Sequence, residues 1–346
     1  MTSTHYFQLL AKCQEFAPEF AGGLSLHLPM ALTALHKMGA HEARMTEFYA
    51  QQSIKLAHCR PSEQIIEHHQ RRDFLGQTQY YASYRDFFLE QIRRQGYATC
   101  LRQFLPQLLP GIASAAFHAL IRLAYALEIP TQEMSDAESA EACMKQEIAA
   151  ALASFASQFQ TLGHACSTSS ASALAPMQIR RLLEQLLAPP FQTWSCESDF
   201  ISARIATVAA LPAFESVSTW LATDEQTLQY LSNCAAHIYL QENNFTVLHM
   251  LTASHAMRLV LPYVSDQSLA LRRFWQAYAA AFIASGVQQL PQADTAIGKL
   301  PDWQDIFNVA IASENEHVIK LVYSCCEEYQ AYRLPVYWQV AAKVCS

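Results

Sequence analysis

Apolar residues recur at three- and four-residue spacing along almost every long segment of this chain, while the residues that build tight turns are scarce. Only 9 glycines occur in 346 residues. Alanine, leucine and glutamine, all favourable in helices, are abundant. Period-two alternation bounded by turn residues is hard to find. The expectation is an all-α fold, a multi-helix bundle forming one domain over residues 1–346.

The pattern predicts helices over Tyr6–Phe16, Met30–Met38, His41–Ala57 and Tyr80–Gln95. Pro29 takes a first helical position, and Gly39 stops the helix that follows it. After Pro110-Gly111, a nearly wholly apolar helix is expected from Ile112 to Leu127, ended by Pro130. Helices resume at Pro176–Leu187, Asp199–Ala210, Asp224–Leu240, Phe245–Leu261 and Gln267–Ala284. Asp302 with Asp305, and Ser313 with Glu316, have the spacing of helix-opening capping pairs. The serine- and alanine-rich stretch 166–175 is the candidate mobile loop. No 34- or 40-residue repeat points to a solenoid.

Composition excludes several function classes. Charged residues make up 15% of the chain, against roughly 25% in ordinary globular proteins. A large interior follows, with room for a buried apolar cavity or for the interface of a homo-oligomer. Net charge is -7, and the short cluster His68-His69-Gln70-Arg71-Arg72 is the densest basic run, so no nucleic-acid partner is expected. No apolar run is long enough for a transmembrane helix, and no membrane partner is expected. The ten cysteines form no CxxC pair or disulfide framework, and residues 1–14 lack the basic-then-apolar pattern of a secretory signal, so none is expected. Free thiols fit a reducing, cytoplasmic location.

Histidines in apolar helical segments carry the chemistry. An imidazole needs partners for both ring nitrogens, so it is an unusual choice for a core. His27 precedes the proline-started helix and reads either as a helix-start residue bonded to backbone or as a ligand. His118 lies among Ala115, Ala116, Phe117, Ala119, Leu120 and Ile121, with Arg122 one turn on. It is either a satisfied core histidine or a functional one. His249 and His255, six apart on one helix, point about 120° away from each other. In Glu316-His317-Val318-Ile319-Lys320, an imidazole and an amine three residues apart share a helical face. Together these residues suggest a buried metal site. A buried lysine near a cation is biased toward its neutral amine, which carbon dioxide can convert to an anionic carbamate. The plainer alternative has Lys320 reaching water and His317 packing.

Familiar signatures are missing. There is no HExxH, GxSxG, Walker loop or GxGxxG. The di-iron ExxH pattern occurs once, from Glu314 to His317, without a second copy.

The segments His27-Leu28-Pro29-Met30-Ala31-Leu32 with Gly39-Ala40, Pro110-Gly111 with Phe117-His118-Ala119-Leu120-Ile121-Arg122 and Tyr125, Leu248-His249 with Thr252 and Ala256, and His317-Val318-Ile319-Lys320 occur in order over almost the whole chain. In these the sequence resembles the questin oxidase-like family. Characterised fungal members oxidise anthraquinones by ring opening or Baeyer–Villiger-type insertion. The resemblance implies a helical fold with a mononuclear iron. It also implies His27, His118, His249 and His317 as ligands, and Lys320 as a carbamylated ligand. NADPH is the electron donor that the resemblance implies, although the chain has no nucleotide-binding motif.

The reading is therefore a non-haem, Fe(II)-dependent oxygenase, with zinc as the alternative ion. Its partners are dioxygen and a small aromatic or apolar substrate. His255, Arg258 and Arg122 are the candidates for orienting substrate oxygens or ligand imidazoles. Phe117, Tyr125, Phe245 and Tyr323 either line the cavity or belong to the core. A metal-dependent hydrolase or zinc protein, and a non-catalytic helical binding protein, are the alternatives on the same scaffold.

Overall fold

The computed structural model describes residues 4–62, 64–131, 137–163, 176–291 and 300–346. The expected loop at 166–175 lies outside them. The first half holds α1 (Thr4–Cys13), a hairpin of β1 (Glu19–Phe20) and β2 (Leu24–Ser25), α2 (Leu28–Lys37), α3 (Glu42–Ser53), α4 (Tyr81–Gln95), α5 (Tyr97–Leu108), α6 (His118–Leu127) and α7 (Ala137–Ser157). The second half holds α8 (Pro176–Leu186), α9 (Ile201–Ala209), α10 (Thr227–Glu242), α11 (Phe245–Val260), α12 (Gln267–Ser285), α13 (Trp303–Ala312), α14 (Glu316–Tyr332) and α15 (Pro335–Val344). Among the described residues the fold is all-α apart from that two-residue antiparallel ladder and an isolated bridge between Phe16 and His58.

The centre of the bundle is α11, which packs against α6, α10, α12 and α14. Its residues Thr246 to Met257 are all buried, so it is enclosed on every side and not along one stripe. Small residues permit this density: Ala277, Ala279, Ala280, Ala281 and Ala284 of α12 have no exposed surface, nor have Ala149, Ala150, Ala151 and Ala153 of α7. Asn244 starts α11 by accepting from the Thr246 and Val247 amides at 2.9 and 3.2 Å, and it donates to the Ser285 carbonyl at 2.9 Å. The beginning of α11 is thus tied to the end of α12.

Two expectations are corrected. The segment Ile112–Leu127 is not one helix, because α6 begins only at His118. Before it, Ala115, Ala116 and Phe117 take consecutive left-handed φ values of 48°, 56° and 68°. L-residues rarely do this singly and almost never in a run. Tertiary contacts hold the turn: Phe117 is fully buried, and Ser114 Oγ accepts from the Gln160 amide at 2.9 Å. Gly111 lies so close to the Phe159 ring that an added Cβ would sit 2.6 Å from it. Second, α14 is capped by Asn315, not Ser313: Asn315 Oδ1 accepts from the His317 amide at 2.9 Å. Ser313 Oγ instead accepts from the Asn315 amide, which sets up that cap. The Asp302–Asp305 cap forms as expected, at 2.9 Å.

Candidate metal centre

Four helix starts converge. His27 immediately precedes α2, His118 opens α6, His249 is the fifth residue of α11, and His317 and Lys320 are the second and fifth of α14. Coordinating atoms of His27, His118 and His317 all lie within 4.8 Å of one another, so these three could hold one ion. The His27 ring is 4.5 Å from those of His118 and His317. The His249 ring lies 5.0 Å from His118 and 5.5 Å from His317. Lys320, 2% exposed, is hydrogen-bonded through Nζ to His27 Nδ1 at 3.3 Å.

The hydrogen bonds select tautomers. A carbonyl can only accept, so His249 Nδ1–H donates to the Phe245 carbonyl at 2.8 Å, and His118 Nδ1–H donates to that of Ala115. Both rings then present an unprotonated Nε2. His118 Nε2 is buried and has no hydrogen-bond partner. An orphaned imidazole nitrogen facing other imidazoles, with its far nitrogen anchored to backbone, is the arrangement of a metal ligand. The left-handed turn explains the anchor, since it swings the Ala115 carbonyl back onto the His118 ring.

Electrostatics keep the cluster deprotonated. Burial is the main reason that His27, His118 and His317 titrate well below the ordinary imidazole range, with neighbouring cationic groups adding to it. Burial brings His249 down to about 4 and Lys320 down to about 7. Helix N-termini carry partial positive charge, so four of them aimed inward also favour neutral bases and an anionic ligand. The residues present therefore fit a divalent ion of the borderline type.

A cleft of about 280 Å³ opens above the cluster. Its floor includes His27, His118, His249 and His317, and its walls carry Lys55, Glu316, Ala115 and Ala116. Phe20 and Leu24 from the hairpin, Phe200 before α9 and Phe245 complete it. Leu24, Phe200 and Phe245 are each at least 42% exposed. Large apolar side chains are seldom left in water together, and these ring one opening. Phe245 also meets the His249 and His317 rings edge-on at 4.8 Å. Of the aromatic residues considered from sequence, only Phe245 lines the cleft, while Phe117, Tyr125 and Tyr323 are core.

His255, Arg258 and Arg122 do not line the cleft. His255 Nδ1 bonds Ser324 Oγ at 3.1 Å, and its Nε2 stands 3.6 Å from the Glu128 carboxylate. Ser324 is 3.3 Å from the Tyr125 hydroxyl, which donates to the Lys320 carbonyl at 3.1 Å. A buried chain thus leads from His255 to the backbone of Lys320. Arg258 pairs with buried Glu328 at 2.8 Å. Arg122, on the turn after His118, pairs with Glu147 at 3.3 Å inside the protein and donates to the Tyr81 hydroxyl at 3.2 Å. Sequence reasoning passed over Lys55, Phe200 and the hairpin as cleft walls. The adjacent Gly22-Gly23 pair was the available hairpin signal.

No curated protein matches the chain significantly. The family model described as questin oxidase-like matches residues 25–325, a span that holds all four histidines and Lys320. The chain belongs to the questin oxidase-like family.

Proposed function

We propose that the protein is an oxidoreductase, specifically a non-haem iron oxygenase acting with dioxygen on an aromatic, polyketide-like substrate. The observation that carries this reading is the meeting of His27, His118 and His317 at the floor of an aromatic-rimmed cleft, with His249 and Lys320 beside them. His27, His118, His249 and His317 would hold the ion, and iron would supply the redox access to dioxygen that side chains lack. Lys320, pushed down to about 7, is substantially neutral at neutral pH. Its amine can add to carbon dioxide: an N–C bond forms, one carbonyl oxygen gains the electron pair, and a proton leaves. The carbamate would offset the cation's charge and relieve the burial of an ammonium.

The rest of the chain positions and selects. Phe200 and Phe245, at the cleft, would pack against a planar substrate. Lys55 and Glu316, 3.7 Å apart on one wall, would engage its phenol or quinone oxygens. His255, through Ser324 and Tyr125, would steady the turn that carries Lys320. Arg122 would brace α6 behind His118, and Arg258 would hold Glu328 of α14. With no nucleotide loop in the sequence, the substrate and not NADPH is the electron source in this reading.

Elemental analysis of untagged protein, followed by oxygen uptake with a hydroxyanthraquinone, tests the proposal. About one iron per chain and substrate-dependent oxygen consumption, both lost in His118→Ala and Lys320→Ala, are expected. Zinc without oxygen consumption would transfer the site to a hydrolase. Absence of metal, with activity intact in both variants, would end the proposal.

A further inference from the structure

We infer that Glu316 is a positioning residue of the metal centre: its carboxylate holds the proton on His27 Nδ1 and so presents Nε2 of that ring to the ion. The inference rests on the proposal that His27 is a ligand, and not on which ion is bound or which reaction follows.

The histidines of the cluster are not all held alike. His118 and His249 are each fixed through Nδ1 by a carbonyl of the preceding turn, that of Ala115 and that of Phe245. For His27 no backbone carbonyl among the described residues takes that part. It stands at the start of α2, where its side chain caps nothing. Its Nδ1 instead faces two side chains of α14, Lys320 Nζ at 3.3 Å and Glu316 Oε1 at 3.6 Å. An imidazole binds an ion through its unprotonated nitrogen, and the partner of the other nitrogen decides which one that is. Carbamylation commits the lone pair of the Lys320 nitrogen, which then cannot accept. Glu316 is the acceptor left to Nδ1–H, and a carboxylate there also makes the ring a stronger donor to the ion.

The placement comes from α14. Glu316 is its first residue and His317 its second, so one helix start supplies a ligand and the support of another. Only 19% of the Glu316 side chain is exposed, so the carboxylate has given up most of its water and needs charged or N–H partners. The same oxygen lies 3.7 Å from Lys55 Nζ, an ammonium 46% exposed on the cleft wall. An acid in a first turn also suits the helix dipole. That role needs no imidazole, and it predicts a loss of stability without a loss of metal affinity.

The test loads the full, untagged chain with Co(II), whose visible bands report its ligands, and measures affinity by chelator competition. Glu316→Gln should weaken Co(II) binding by about 10- to 100-fold and shift the bands. In His27→Ala, which keeps His118, His249 and His317, adding Glu316→Gln should cost less than about twofold, because the pair acts as a unit. Lys55→Met, which leaves Glu316 Oε1 to His27, should bind Co(II) at least as tightly as wild type. With Zn(II) in place of Co(II), ¹⁵N imidazole spectra should show His27 bound through Nε2, with an Nδ1–H that exchanges faster in Glu316→Gln. Circular dichroism reports whether each variant is folded. Wild-type affinity in folded Glu316→Gln, an equal loss when His27 is absent, or His27 bound through Nδ1 would each overturn the inference and leave the metal centre standing. A wild-type chain that takes up neither ion would overturn both.

Discussion

Replacing Ala115 by glycine should stabilise the metal-free protein, and replacing it by valine should destabilise it. Ala115 has φ 48° and heads three left-handed residues in a row. An L-residue there costs roughly 1–2 kcal/mol, which glycine avoids. Glycine gives back about 0.5–1 kcal/mol through the greater freedom of its unfolded chain. The net gain for Ala115→Gly is therefore about 0.5–1 kcal/mol. Valine adds two γ-methyl groups in a region hostile to β-branched side chains, at a further cost of roughly 1–2 kcal/mol. The two variants should thus differ by about 1.5–3 kcal/mol in favour of glycine. At about 2.1 cal/mol/K per residue over 346 residues, that is roughly 2–4 °C in Tm. A continuous helix over Ile112–Leu127 would give the opposite order, because glycine in a helix costs about 1 kcal/mol and valine less. Thermal denaturation of the two chelator-treated variants side by side decides it. Valine at or above glycine would refute the left-handed turn, and with it the account of how His118 is anchored.

Other consequences follow from the buried polar groups and the cleft. Arg122→Leu strands Glu147 as an unpaired interior charge and should lose about 3–5 kcal/mol in urea unfolding, whereas Arg122→Leu with Glu147→Leu should recover most of it. Burial lowers the affinity of His255 for a proton, but Glu128 and Glu328 raise it more, so its folded pKa lies above the ordinary value. Its contribution to stability is then full below about pH 6.5 and lost as pH rises through the folded value. The advantage of wild type over His255→Gln should accordingly shrink between pH 6 and 9, and an advantage that grows over that range would contradict the geometry. Phe245→Ala should weaken binding of a planar aromatic ligand by about 1–3 kcal/mol while metal content stays at the wild-type level, which calorimetry and elemental analysis read separately.

Helical spacing was enough to read most of the bundle. The ends of α11 and α12 fall within one residue of expectation, because apolar period and capping residues are local properties. The alanine-rich α7 escaped, since a helix buried on most sides shows no polar stripe to mark its period. The histidines and Lys320 stood out as polar groups in apolar surroundings, which is likewise a local signal. Their mutual approach is not local: His27 and Lys320 touch across 293 residues. Which helix starts meet depends on how α2, α6, α11 and α14 cross, and only the packed core sets those crossings. The turn at Ala115 to Phe117 shows the same division. Its residues prefer a helix on their own, and the buried Phe117 and the Phe159 ring against Gly111 override that preference to aim one imidazole. Sequence determined the helices and the reactive side chains; long-range packing decided which of them share a site and which way each nitrogen faces.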